Sequence, residues 1–249
     1  MNIYLESRFK KPRVEGLNMI IDTGYSTSYF KDLIESFNEH IDFVKFGWGT
    51  CLVSPNIDKK IEILKLFNID YFFGGTLFEY FYSKNQLNEF VNYCNIKNCK
   101  YIEVSNGTID LSNTEKASIV SDLKNEFNVF SEVGYKDNLR STRFDAEQWI
   151  NYIKQDIDAG ATKVIIETRE SGKGGICNTD GSIKEDVFEK ILASDIDLDK
   201  IIFEAPTKFL QQYFINNTHT NVNLGNIDFN DIISLETLRH GLRSDTFFK

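Results

Sequence analysis

Three short runs within residues 101–169 decide the fold: Tyr101-Ile102-Glu103-Val104-Ser105, Val129-Phe130-Ser131-Glu132-Val133 and Val164-Ile165-Ile166-Glu167-Thr168-Arg169. Each is rich in β-branched or aromatic residues, and each alternates, with one glutamate among apolar neighbours. Helical stretches, Thr114–Phe127 and Asp145–Ala159, separate them. Strand, helix, strand, helix, strand with connections of this length is the mark of parallel strands joined by crossover helices. Asp145-Ala146-Glu147 and Thr114-Glu115-Lys116 supply cap residues and early acids at the two helix starts.

The same alternation extends in both directions. Upstream, strands are expected at Met19–Asp22, Phe43–Gly47 and Tyr71–Gly74, with helices at Ser28–Glu39, Asp58–Phe67 and Lys84–Cys94. Downstream, strands are expected at Ile201–Ala205 and Asn221–Leu224, with helices at Lys184–Leu192, Phe209–Ile215 and Asp228–His240. That makes eight strand–helix units in 249 residues, the size of a single (β/α)8 TIM barrel spanning residues 1–249. No Gly/Ser-rich linker divides the chain. A doubly wound open sheet is the alternative, and it lacks a GxGxxG turn after the first strand.

In a barrel, one face of each strand packs under helices and the other points inward. The polar residues at strand C-terminal ends then meet at one mouth, where barrel enzymes do their chemistry. Here they are Asp22, Lys45, Glu103, Glu132, Glu167, Arg169 and Glu204. Burying so many charges without a partner is expensive. Carboxylates from several strands suit a hard divalent cation such as Mg²⁺. Lys45, Lys136 and Arg169 suit an anionic substrate, with a phosphate placed near Asn223-Leu224-Gly225-Asn226. The Gly-rich run Ser171-Gly172-Lys173-Gly174-Gly175 would bring Lys173 onto an anion or form a plain loop.

Composition narrows the function classes. The formal charge is −9, from 28 Lys+Arg against 37 Asp+Glu, which argues against non-specific nucleic-acid or anionic-membrane partners. No apolar run is long enough to span a bilayer, and the charged N-terminus does not read as a signal peptide. Cys51, Cys94, Cys99 and Cys177 form no CxxC pair, which fits reduced thiols in a cytoplasmic protein. His40, His219 and His240 fall outside the polar strand face and are read as structural or solvent-exposed. Phe37, Phe67 and Phe90 serve either the core or a homo-oligomer contact.

Ordered motifs then carry a resemblance. Lys11-Pro12-Arg13, Val44-Lys45-Phe46-Gly47-Trp48-Gly49-Thr50, Gly74-Gly75-Thr76-Leu77-Phe78-Glu79 and Glu103-Val104-Ser105-Asn106-Gly107 are similar to those of the phosphosulfolactate synthase family. So are Glu132-Val133-Gly134 with Lys136-Asp137, Glu167 with Arg169-Glu170-Ser171-Gly172, Phe203-Glu204-Ala205-Pro206 and Asn221-Val222-Asn223-Leu224-Gly225-Asn226. The resemblance implies a cytoplasmic TIM-barrel lyase that adds sulfite to phosphoenolpyruvate with Mg²⁺, giving (2R)-phospho-3-sulfolactate on a route to coenzyme M. It implies Lys136 as general acid, its pKa lowered by cations or desolvation, with Lys45 beside it. Glu103, Glu132, Glu167 and Asp22 become the metal ligands, and Arg169, Lys173, Asn223, Asn226 and Ser105 the substrate contacts. Three positions depart from the family's usual residues: Thr23 and Tyr135 stand where Lys is usual, and Thr207 where Gln is usual. A different nucleophile, or a non-catalytic stress-related role, are the alternatives.

Overall fold

A computed structural model describes residues 5, 7–137, 140–141 and 144–247. Met1–Tyr4 and Glu6, part of the charged N-terminal segment that does not read as a signal peptide, lie outside them. The strands are β1 (Asn18–Asp22), β2 (Phe43–Phe46), β3 (Asp70–Phe73), β4 (Tyr101–Val104), β5 (Asn128–Val133), β6 (Lys163–Ile166), β7 (Ile201–Glu204) and β8 (Leu224–Asp228). All ladders are parallel, in the order β3-β2-β1-β8-β7-β6-β5-β4. The two ends of that order, β3 and β4, lie against each other and nearly close the cylinder. The helices around it are α1 (Thr27–Phe37), α2 (Ile57–Leu66), α3 (Gly75–Ser83), α4 (Leu87–Ile96) and α5 (Asn113–Leu123). They continue with α6 (Ala146–Ala159), α7 (Glu185–Ala193), α8 (Lys208–Asn217) and α9 (Ile232–Arg239). This is the single (β/α)8 barrel expected from the alternation.

Local chemistry sets the helix ends. Asp145 opens α6 with a capping box to Gln148, and Gly160 closes it in the left-handed conformation at φ 112°. The cap of α5 is Ser112, paired with Glu115, two residues before the expected start. Helix α3 was not expected. It starts directly after β3 at Gly74-Gly75, and its aromatic run faces the core through Leu77 and Phe78.

The barrel has two apolar compartments. The outer one packs helices on strands, from Phe30 and Val44 round to Phe203 and Leu235. The inner one fills the barrel floor with Met19, Phe43, Phe72, Phe130, Ile165 and Ile202. Phe130 meets Phe43, Phe72 and Tyr101 with ring centroids 5.1–5.4 Å apart, in the edge-on and offset geometries that aromatic pairs favour. Two residues further along β2, β4, β5, β6 and β7, the inward layer turns from apolar to charged. Glu103 stands opposite Phe130 and Glu132 opposite Ile165, the stagger that tilted strands impose in a closed barrel.

The last strand differs from expectation. It runs Leu224–Asp228, not Asn221–Leu224. Against β1 it carries one extra residue, between Leu224 and Ile227, and Asn226 there has φ 53°. Such a bulge re-aims a side chain. Below it, the N-terminal face of the barrel is closed by polar bonds. The buried Arg239 donates to Thr220 O, Val222 O and Asn18 Oδ1, while Arg8 pairs with Glu236 at 3.1 Å.

Candidate active site

At the C-terminal ends of the strands a cavity of about 780 Å³ opens above the floor. Alternation places its charged ring. In β2 Phe43 points to the floor, so Lys45 points into the cavity. The same step carries Tyr101 to Glu103, Phe130 to Glu132, Ile165 to Glu167 and Ile202 to Glu204. Lys136, just beyond β5, completes the ring.

Lys45 is the hub. Its Nζ lies 3.0 Å from Glu103 Oε2, 3.0 Å from Glu204 Oε1 and 3.9 Å from Glu132 Oε2. Lys136 Nζ lies 3.5 Å from Glu132 Oε1 and 3.8 Å from Glu167 Oε2. Four carboxylates thus face two ammonium groups, and the ring has two more negative charges than positive when all ionise. The titration directions follow. Burial pushes Glu103 up to about 8, although Lys45 pulls it back. Burial and the Glu132 charge push Glu167 well above the carboxylate range, and burial raises Glu204. Glu132 goes the other way: burial opposes its charge, but Lys136 and Lys45 outweigh it and hold the carboxyl low.

Carboxylate oxygens of Glu132, Glu167 and Glu204 lie within 4.8 Å of one another. Glu132 Oε2 and Glu167 Oε2 are buried with no hydrogen-bond partner among the described residues. Convergent oxygen donors from the ends of three strands, two of them buried without a hydrogen bond, fit a hard divalent cation, which would favour the ionised carboxylates that burial opposes.

Several sequence-derived assignments change. Asp22 is not at the mouth: in β1 Met19 points inward, so Asp22 turns outward. Its Oδ2 pairs with Lys60 Nζ at 2.5 Å, and its Oδ1 accepts from the amides of Gly24 and Tyr25. Glu103 does reach the cavity, but its Oε1 accepts from Gly75 N at 2.8 Å and its Oε2 faces Lys45. It stands outside the three-carboxylate group, which Glu204 joins instead. Glu204 shares the alternation that singled out the others and was not placed among the ligands. Asn223 lies at the opposite end of the barrel, where it accepts from Leu17 N and donates to Asp199 O and Ile201 O. Ser105 stands behind Glu132 and does not line the cavity; its Oγ contacts Glu79 and Glu132.

Arg169 and Asn226 line the cavity, Arg169 exposed at the rim and Asn226 with its buried Oδ1 unpartnered. Lys173 is exposed and does not line it. The glycines beside Lys173 serve backbone approach: a Cβ on Gly175 would stand 1.9 Å from Glu167 O. The pKa expectation for Lys136 is also reversed. Burial works to lower it, but Glu132 and Glu167 outweigh burial and hold it well above the ordinary lysine value.

Of the three departures from family usage, only Thr23 lines the cavity. Tyr135 packs its ring on Phe144 beneath the Arg140 guanidinium. Thr207 caps α8 by accepting from Leu210 N. At the rim, half-exposed Trp48 adopts φ 54° between two glycines, a backbone conformation that carries strain and collects at functional sites.

The family described as (2R)-phospho-3-sulfolactate synthase (ComA) matches residues 6–245. The chain belongs to the phosphosulfolactate synthase family. It is 51% identical over 247 residues to a phosphosulfolactate synthase of Bacillus subtilis, covering 99% of this chain and 98% of that protein. A phosphosulfolactate synthase of Methanocaldococcus jannaschii is 43% identical over 238 residues, covering 94% of each chain. Among solved structures, a dihydropteroate synthase from Coxiella burnetii superposes with a TM-score of 0.56 at 10% identity, covering 92% of this chain and 94% of that one. At that identity the likeness is one of fold. No helix among the described residues is long and apolar enough to cross a membrane.

Proposed function

We propose that the chain catalyses the Mg²⁺-dependent addition of sulfite to phosphoenolpyruvate, giving (2R)-phospho-3-sulfolactate. Family membership supports the reaction class. The observation that carries the reading is the ring itself, in which an ammonium group with a held proton, Lys136, stands beside three convergent carboxylates. With all four carboxyls ionised, the ring would repel phosphoenolpyruvate and sulfite. A divalent cation held by Glu132, Glu167 and Glu204 would offset that charge.

When bound, the cation would supply Lewis acidity at the substrate carboxylate. The remaining work falls to the side chains. The sulfur lone pair of sulfite bonds to the methylene carbon, and the π electrons move toward C2 and the carboxylate. A proton on Lys136 Nζ then forms the C2–H bond, and the amine regains a proton from bisulfite or water. Lys45 keeps Glu103 and Glu204 turned toward the ring, and Arg169 at the rim meets an anionic substrate group. Loss of the enol absorbance of phosphoenolpyruvate that requires sulfite and divalent cation together tests the reading. Loss without sulfite would contradict it.

A second reading keeps the enol phosphate and changes the nucleophile, because Thr23 lines the cavity where a lysine is usual. A panel of thiols and other anions in place of sulfite separates the two.

A further inference from the structure

Glu79 lies outside the cavity, on the second turn of α3, and is 3% exposed. Its Oε1 stands 2.8 Å from Ser105 Oγ, and the same Oγ stands 2.7 Å from Glu132 Oε1. One hydroxyl therefore stands within hydrogen-bond reach of two buried carboxyl groups from different elements, and its single proton goes to one of them at a time. The bridge is fixed from both sides. Thr108 N donates to Glu79 Oε1 at 3.0 Å, and Gly107 N donates to Ser105 Oγ at 3.3 Å. Helix α3 also presses its start on Ser105, since a Cβ on Gly75 would fall 2.5 Å from Ser105 Cβ.

Glu132 is pulled in several directions. Lys136 attracts its Oε1 from 3.5 Å, and Lys45 faces its Oε2 from 3.9 Å. Neither distance is that of a formed hydrogen bond. The contact to Ser105 is the short one, and it engages Oε1 alone. Oε2 is left buried and without a hydrogen bond among the described residues.

We infer that Glu79 is a positioning residue: through Ser105 it fixes the Glu132 carboxylate so that one oxygen is free to hold a divalent cation. The inference rests on the reading that Glu132, Glu167 and Glu204 take such a cation. Outer partners of this kind change metal affinity by roughly 10–100-fold when removed, because they set the orientation of the ligand that touches the ion.

The test is binding of Mn²⁺ alone to the purified chain, read by electron paramagnetic resonance without substrate. Ser105→Ala and Glu79→Ala are expected to weaken Mn²⁺ binding by tenfold or more. Glu79→Gln keeps a hydrogen-bonding group at the bridge and is expected to stay within about threefold of the parent chain. Thermal unfolding of each variant is followed in parallel. A purely structural role would lower the midpoint and leave the Mn²⁺ affinity of the folded fraction unchanged, which overturns the inference. Equal weakening by Glu79→Gln and Glu79→Ala overturns it too, because the bridge would then not depend on hydrogen bonding. Ser105→Ala removes one atom and adds no bulk, so it serves if Glu79→Ala does not fold. A parent chain that fails to bind Mn²⁺ refutes the cation reading itself, and the inference falls with it.

Discussion

Lys136 Nζ lies 3.5 Å from Glu132 Oε1, four residues back along the chain, although one lies within β5 and the other beyond its end. The turn at Gly134, with φ 132°, folds the lysine back over the strand end. The two side chains thus present a proton and an oxygen ligand to the same space. Replacing Lys136 with Ala removes the proton donor and is expected to lower turnover by about 10²–10⁴-fold, with the far-ultraviolet dichroism of the barrel retained. Near-normal turnover would remove Lys136 from the reaction.

Asp22 and Lys60 make the contrasting case, a buried ion pair outside the cavity. Asp22→Asn is expected to leave Mn²⁺ affinity unchanged. Lys60→Met leaves the buried Asp22 carboxylate without its cation, with only the Gly24 and Tyr25 amides on Oδ1, and is expected to cost about 3–5 kcal/mol of stability in urea unfolding. A loss of metal affinity in Asp22→Asn would restore it to the ligand set.

Gly75 admits no side chain. Its would-be Cβ lies 2.5 Å from Ser105 Cβ and 2.6 Å from Glu103 Oε1. Gly75→Ala must move the start of α3 or the end of β4, and it is expected to destabilise by about 1–3 kcal/mol and to lower turnover. Unchanged unfolding and unchanged turnover would show that the junction yields freely.

Glu236 gives the pH signature of the barrel floor. Burial opposes its charge, but the Arg8 hydrogen bonds and charge outweigh it and hold the carboxyl at about 2 against an ordinary 4.5. A depressed folded-state pKa means stability present above the unfolded value and lost as pH falls through the folded one. The shift corresponds to about 3 kcal/mol, lost between about pH 4.5 and 2. Chemical denaturation of the parent chain is expected to fall more steeply over that window than that of Glu236→Gln. Parallel slopes would contradict the linkage.

The charged ring was legible in the sequence because alternation has a period of two and each of Lys45, Glu103, Glu132, Glu167 and Glu204 lies in a short β-branched or aromatic run with an apolar residue on at least one side. Asp22 was misplaced because β1 is buried on both faces, so its apolar pattern gives no phase. The register with β8 supplies it. Asn223 was misplaced because β8 contains Gly225, Asn226 and Asp228, poor strand formers that hide its start. Glu79 was missed as a site residue with its helix: Gly74-Gly75 reads as a loop. The available signal was a single acid inside the aromatic run Leu77-Phe78-Glu79-Tyr80-Phe81-Tyr82, where an unpaired charge would be costly. Contacts across elements, such as Ser105 to both Glu79 and Glu132, have no trace in a single sequence.

The most direct measurement is ³¹P nuclear magnetic resonance of the purified chain with phosphoenolpyruvate, sulfite and Mg²⁺, run with and without EDTA. A new alkyl phosphate ester resonance is expected that grows as phosphoenolpyruvate disappears, requires sulfite, and is abolished by EDTA. Phosphoenolpyruvate left intact under all these conditions, in a chain that binds it, would contradict sulfite as the nucleophile. Equal turnover with EDTA present would contradict the cation site on Glu132, Glu167 and Glu204.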